Sequence, residues 1–348
     1  KQRTRKGFIC LVKLEEYEGP TLEASICYWR IKAVVSGDPA PDIEWNRDDS
    51  MSSFGDTIAQ VNLNDPSETF TLTATVTNSE GSDEASIDLS WGCNRDPVIG
   101  DITLPAGTLY VERKYDISAA VSDPDGDTLT YQWSVTGGAI NNDSANPIEW
   151  TTPGSDGSYT LELTVSDGNG GTAGKSLTVD IEPPVSTDVA RVETEGGWLE
   201  ENGFSNPGGL ICIGDIPGGF SCRGFVSFDI SGYSNAIIRS ATLTLSPRAE
   251  WGDTSFFNLI RIDRVEWGAA PIEFAFFSTP GEFIQGFANP NITCTIDKLK
   301  TELQEAVNDG KSRFQIRIYC TPSSDGDAIS DGWEYNQSDI DLNMEYIP

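Results

Sequence analysis

The sequence predicts an all-β protein made of several β-sandwiches in succession, and three observations carry that prediction. Apolar and polar residues alternate at period two in many short runs, such as "TFTLTATVT" at 69–77 and "ASIDLSW" at 85–91, as half-buried strands require. Clusters of Gly, Asp, Asn and Pro, with 34 Gly and 19 Pro in the chain, break these runs into strand-sized pieces. Helical spacing is read in one stretch, "TIDKLKTELQEAVNDG" at 295–310, where Leu299, Leu303, Ala306 and Val307 share a face. Thr295 or Asp297 can cap its start, and Gly310 ends it.

Composition sets the outer bounds. With 348 residues there is room for two or three domains, each burying its own core. No run of about 18 apolar residues occurs, so no segment is expected to span a bilayer. The chain holds 54 acidic and 23 basic residues, a formal charge of -31. Such a surface repels phosphate backbones, which argues against nucleic acid as a partner. It suits divalent cations, a saline milieu or simple solvation. His is absent, which removes Ser-His-Asp and Cys-His catalysis and His-ligated zinc. The seven Cys form no zinc or redox CxxC pattern, and the expected location is extracellular or the cell surface. A start at Lys1 and not at Met fits an export signal already removed.

Residues 1–19 read as a basic tail followed by a strand-like arm. Lys1, Arg3, Arg5 and Lys6 are followed by the apolar run from Phe8 through Ile9, Cys10, Leu11 and Val12 to Leu14. That strand is expected either in its own domain or as an arm pairing with the sheet edge of a neighbouring molecule. Next, "SGDPAPDIEW" at 36–45 and the turn at Asn78-Ser79 stand in the order of strands B, C and F of an immunoglobulin domain. Residues 20–93 therefore resemble an intermediate-set immunoglobulin domain in which Ala33 and Ala74 stand where the resemblance implies the B–F disulfide. Trp45 would then pack on two alanines.

From 94 to 182, "VSDPDGDTLTYQWSV" and "YTLELTVSDGNGGTAGKSLTVDI" look like a PKD-type or cadherin-like Ig sandwich, with Trp133 as the core Trp. The resemblance implies that the Asp of the DPDG turn and the Asp after strand F approach each other, with an Asn at the start of the domain nearby. Asn94, Asp123, Asp125, Asp127 and Asp167 are accordingly the candidate Ca2+ ligands, the alternative being ordinary turn chemistry. A second acidic loop, "SSDGDAISDGWEY", matches no EF-hand spacing. After the stiff linker at 183–186, residues 187–348 contain "RGFVSFDISGYSNAIIRSATLTLS" and then "DRVEWG". These resemble the DNRLRE domains and disaggregatase-related repeats of archaeal surface proteins, which implies a jelly-roll β-sandwich of the kind attached to carbohydrate-active or cell-surface proteins. The fold expected overall is two Ig-like sandwiches followed by a jelly roll carrying one helix.

Trp251, Trp333 and Tyr335 lie in Gly/Asp-rich stretches and are candidates for stacking on sugar rings, the alternative being that they plug the sandwich. Cys212 with Cys222 and Cys294 with Cys320 are expected as two local bridges. A third is expected from Cys27 or Cys10 to Cys93, with Cys10 the thiol suspected of joining another chain. Asn142, Asn291 and Asn336 begin glycosylation sequons. Once three sandwiches are assigned, no segment remains for a catalytic domain, so a non-catalytic protein is expected. Two functions fit. One is a subunit of a self-assembling surface filament, sheath or layer, joined to copies of itself through the arm. The other is a polysaccharide-binding or adhesion protein using loop aromatics on the jelly roll.

Overall fold

The computed structural model describes residues 8–327 and 329–348, and the basic tail at Lys1, Arg3, Arg5 and Lys6 lies outside them. The protein is all-β, with antiparallel sheets and one α-helix among the described residues. It divides into two compact units. One runs through Ala106 and takes in Lys114–Thr151 and Tyr159–Val179; the other holds Gly107–Arg113, Thr152–Ser158 and Asp180–Pro348.

The first unit begins with β1 (Phe8–Glu23), β2 (Ile26–Asp38), β3 (Asp42–Trp45), β4 (Ile58–Leu63), β5 (Thr69–Asn78) and β6 (Gly81–Ser90). They form two sheets, β1-β2-β4 and β3-β5-β6, which enclose Ile31, Val61 and Leu63 from one face and Leu72 and Leu89 from the other. Alternation sets these faces: β5 buries Leu72, Ala74 and Val76 and turns its threonines outward. Trp45 is only half-buried at the rim, where its indole N–H donates to the Asp56 carbonyl. The arm does not reach out. β1 pairs with β2 of its own sheet, Leu11 opposite Ser36 and Val12 opposite Val35, while Ile9 and Leu11 stay exposed. Of the two expectations for this strand, the one that places it in its own domain is met, with β1 at the edge of the sheet.

The same unit continues with β7 (Val98–Thr103), β8 (Lys114–Ser122), β9 (Thr130–Val135), β10 (Ala139–Ile140), β11 (Ile148–Thr151), β12 (Gly157–Ser166) and β13 (Thr172–Ile181). Their sheets are β10-β11-β8-β7 and β13-β12-β9. Trp133, Trp150, Ile117, Leu161 and Leu163 are buried, and the indole N–H groups donate to Ala145 and Gly137 carbonyls, so neither Trp is left with an unsatisfied donor.

The second unit carries β14 (Val185–Asp188), β15 (Gly197–Glu200), β16 (Ser205–Pro207), β17 (Ile211–Ile216), β18 (Phe220–Asp229), β19 (Ile237–Leu245), β20 (Ala249–Trp251), β21 (Leu259–Val265), β22 (Glu282–Phe287) and β23 (Ile292–Cys294). It closes with α1 (Asp297–Asn308), β24 (Arg313–Thr321), β25 (Gly332–Tyr335) and β26 (Ile340–Ile347). A small sheet, β14-β26-β19-β23, faces a large one whose main path is β20-β25-β17-β18-β24-β21-β22. Between them lies one core, with Phe228, Phe314 and Ile316 from the large sheet and Leu243, Leu342 and Met344 from the small one. The helix adds Leu299, Leu303, Ala306 and Val307 to it. Its end follows the expected glycine: Gly310, at φ +65, donates to Val307 and the next N–H, of Lys311, to Ala306. Its start differs, since neither Thr295 nor Asp297 makes a side-chain cap.

Candidate functional site

Three of the five expected calcium ligands converge. Asp123, Asp127 and Asp167 each bring a carboxylate oxygen to within 4.8 Å of the others. Asp123 Oδ1 accepts the N–H groups of Asp125 and Asp127, which shapes the DPDGD turn, while its Oδ2 is buried without a hydrogen-bond partner. Asp167 Oδ2 accepts from Asn94 Nδ2 at 2.7 Å, and its Oδ1 accepts the Asn169 and Gly171 N–H groups. These bonds, that from Asn94 foremost, hold the Asp167 carboxyl below the usual carboxylate range. Asn94 thus faces the cluster as a donor to Asp167.

Asp125 leaves the cluster. Its oxygens are taken by Arg95, whose Nε and Nη2 lie 2.9 and 2.8 Å from Oδ1 and whose backbone N–H donates to Oδ2 at 2.6 Å. The Arg95 guanidinium also sits 4.7 Å over the Trp91 ring. Two guanidinium N–H groups on one oxygen and the Arg95 main-chain N–H on the other are charge-assisted bonds that occupy both carboxylate oxygens, and this diverts the middle Asp of the motif. Replacing Asp123 by Asn should lower Ca2+ affinity at this cluster at least tenfold, read by calorimetric titration of the chelator-stripped protein, if the cluster takes the ion.

The expected aromatic platform is absent from Trp333 and Tyr335. Both are buried in the core, Tyr335 with its hydroxyl donating to the Pro290 carbonyl and Trp333 packed 5.5 Å from Phe257. The reason is that 332–335 is a strand, flanked by β17 and β20, and period two turns both rings inward. Trp251, at the end of β20, is half-buried.

A different surface carries cations and aromatics together. Period two in β24 sends Phe314, Ile316, Ile318 and Cys320 into the core and puts Arg317 and Tyr319 on the other face of the sheet, where Tyr319 is half-buried and Arg317 is buried, its Nη1 donating to the Thr279 and Phe277 carbonyls. In the neighbouring strand Arg261 lies opposite Tyr319 and Asp263 opposite Arg317. Three guanidinium groups, of Arg223, Arg261 and Arg317, lie 5.1–5.6 Å from the Tyr319 ring. Arg261 also stands 4.4 Å over Phe283, which is 45% exposed. Asp263 is the one carboxylate paired with them among the described residues, at 2.8 Å from Arg317 Nη2 and 3.7 Å from Arg261 Nη2. Arg317 is only 6% exposed, and the Nε atoms of all three arginines lack a hydrogen-bond partner. Burial, then the Arg317 charge, lowers the Arg223 pKa; burial, then Asp263, raises that of Tyr319.

Of the cysteines, Cys27 and Cys93 are joined. Cys212 and Cys222 are buried thiols with sulfurs in contact at 3.3 Å and no bond between them, and burial pushes the Cys222 thiol pKa up. The expected Cys294–Cys320 bridge is not formed, and both are buried thiols in the core. Cys10 is fully buried and donates to the Val76 and Gly81 carbonyls, so it is not presented to another chain. Asn142 and Asn291 are exposed; Asn336 is half-buried and donates to Asp339.

Residues 94–180 match the bacterial Ig domain family. No curated protein matches the chain. Among solved structures, Sidekick-1 immunoglobulin domains 1–5 align over 69% of this chain and 48% of that one, at 12% identity and a TM-score of 0.35. The chain thus spans about half the length of that structure. Carbohydrate-binding modules of the β-sandwich superfamily align over 73% of this chain and 93% of theirs, at 11% identity and a TM-score of 0.24. The Bacteroides ovatus protein SGBP-B, in complex with a mixed-linkage heptasaccharide, aligns over 91% and 92%, at 13% identity and a TM-score of 0.21. Likenesses this distant carry no argument about function. No helix among the described residues is long and apolar enough to cross a membrane.

Proposed function

We propose that this chain is an extracellular, non-catalytic adhesion protein that binds an acidic polysaccharide on the outer face of the large sheet of its second unit. The observation that carries this reading is the partly exposed Arg261 guanidinium 4.4 Å over the exposed ring of Phe283, with half-buried Arg223 and buried Arg317 behind it around Tyr319. A guanidinium fork pairs with a carboxylate or sulfate, and an aromatic ring takes the apolar face of a sugar. The formal charge of -31 opposes an anionic ligand at long range. At physiological ionic strength charges beyond about 8 Å are largely screened, so the local excess of arginine decides. The Cys27–Cys93 bond supports an oxidising compartment.

On this reading Ca2+ at Asp123, Asp127 and Asp167 firms the start of the second sandwich. Sandwiches at 20–93, 94–182 and 187–348, the second PKD-like and the third DNRLRE-like, would be successive modules of one surface protein. The alternative, assembly into a filament through the arm, draws no support from β1, which pairs within its own sheet.

Affinity electrophoresis in gels containing polygalacturonate or a sulfated glycan, beside a neutral β-glucan, tests the proposal. The wild type should be retarded by an acidic polymer and not by the neutral one. Arg261→Met and Phe283→Ala, both at exposed or half-exposed positions, should each weaken retention about tenfold, the first by losing one charge-assisted contact and the second by losing the ring under the sugar. Equal retardation in the neutral gel, or none in either acidic gel, would sink the proposal.

A further inference from the structure

A second group of carboxylates lies at one end of the large sheet in the second unit. Asp215, in β17, is fully buried, and Asp331, just before β25, is 2% exposed. The two are locked face to face: Asp215 N–H donates to the Asp331 carbonyl at 2.8 Å, and Asp331 N–H donates to Asp215 Oδ1 at 2.9 Å. Asp331 Oδ1 accepts the Asp253 N–H. The Oδ2 atoms of both residues are buried and have no hydrogen-bond partner. Asp325, from the exposed loop between β24 and β25, brings a third carboxylate, and one oxygen of each of the three lies within 4.8 Å of the others.

No lysine or arginine forms an ion pair with any of the three among the described residues. Burying a carboxylate without a counter-charge is costly, and burying two side by side adds repulsion. The backbone is nevertheless built to hold them there. Gly252, at φ +67, would place a Cβ 1.8 Å from Asp331 Oδ1, and Gly214, at φ +131, would place one 2.1 Å from the Asp331 carbonyl oxygen. Both positions need glycine for the close approach that sets the pair.

We infer that Asp215, Asp325 and Asp331 hold a divalent cation of calcium type, which ties the loop segment at Asp325 to the end of the large sheet. Two orphaned, buried carboxylate oxygens and a third carboxylate on an exposed loop give a hard cation part of the six to eight oxygens that Ca2+ takes. The irregular, loop-borne arrangement suits Ca2+ better than Mg2+, which demands near-ideal octahedral geometry. The site is independent of the Asp123 group and of the arginine face.

The test uses the full chain carrying Asp123→Asn, stripped with chelator, so that the other acidic group is silenced. Calorimetric titration with Ca2+ should show one site, and Asp325→Asn, at an exposed position, should weaken it at least tenfold while the protein stays folded. At Ca2+ about 100 times its dissociation constant, the melting midpoint of the second unit should rise by roughly 5–10 °C. In chelator, Asp331→Asn should melt at or above the parent, since it removes repulsion, and should no longer respond to Ca2+. No heat and no shift on adding Ca2+, or Ca2+ binding unchanged in Asp325→Asn, would overturn the inference. Full replacement by Mg2+ at equal concentration would overturn the calcium assignment.

Discussion

Replacing Cys27 by Ser is expected to destabilise the first sandwich by about 4 kcal/mol, the loop-closure entropy that a cross-link at a separation of 66 residues withholds from the unfolded chain. The immunoglobulin B–F position cannot share this role, since Ala33 and Ala74 are both buried there as alanines. Calorimetry should show an earlier transition, and hydrogen exchange should place the loss in β2, where Cys27 pairs with Leu22 and Leu63. Wild-type protein under reductant should melt with the variant. A variant as stable as the oxidised parent would mean that the unfolded chain retains contacts that already close this loop.

Replacing Trp133 by Ala should cost about 3–5 kcal/mol, the range for deleting a buried indole. Trp133 is 1% exposed, lies opposite Leu163 in the sheet pairing, and satisfies the Ala145 carbonyl at 3.0 Å. The substitution therefore opens a cavity and strands an acceptor together. Trp133→Phe retains most of the ring volume and should cost clearly less. Denaturant unfolding followed by the fluorescence of the remaining tryptophans separates the two, and equal losses would show that the hydrogen bond, not the volume, dominates.

Local pattern made much of this legible. Alternation in 69–77 and 85–90 reports the two faces of β5 and β6, and the face of Leu299, Leu303, Ala306 and Val307 reports the helix. Asp123 and Asp167 could be brought together because a hairpin-rich sandwich returns its turns to the same end. Long-range partners were not legible. Asp125 is diverted by Arg95, 30 residues away, and Asp215 meets a residue 116 positions distant. Trp333 follows a Gly/Asp-rich stretch that reads as loop, yet β17 and β20 draw it into a sheet. The arginine face did leave a signal: in "RFQIRIYC" at 313–320 every second residue is polar or aromatic, which puts Arg317 and Tyr319 on the side away from the core. What the run could not reveal is that Arg261 and Arg223 arrive beside them from other strands.

The Cys27–Cys93 bond also sets how the chain would carry mechanical load. Tension drawn through the backbone from Asn94 reaches Cys93 and crosses the sulfurs to Cys27 at the start of β2. The strands between the two cysteines stand in a covalent by-pass and bear none of it. About 220 Å of extended chain, at roughly 3.4 Å for each of the 66 residues, is thereby withheld from extension. Only the residues before Cys27, held by the β1–β2 pairing, can be peeled away. Beyond β1 the first sandwich is thus a short, stiff link, in series with a second sandwich that contains no cysteine and can extend along its whole length.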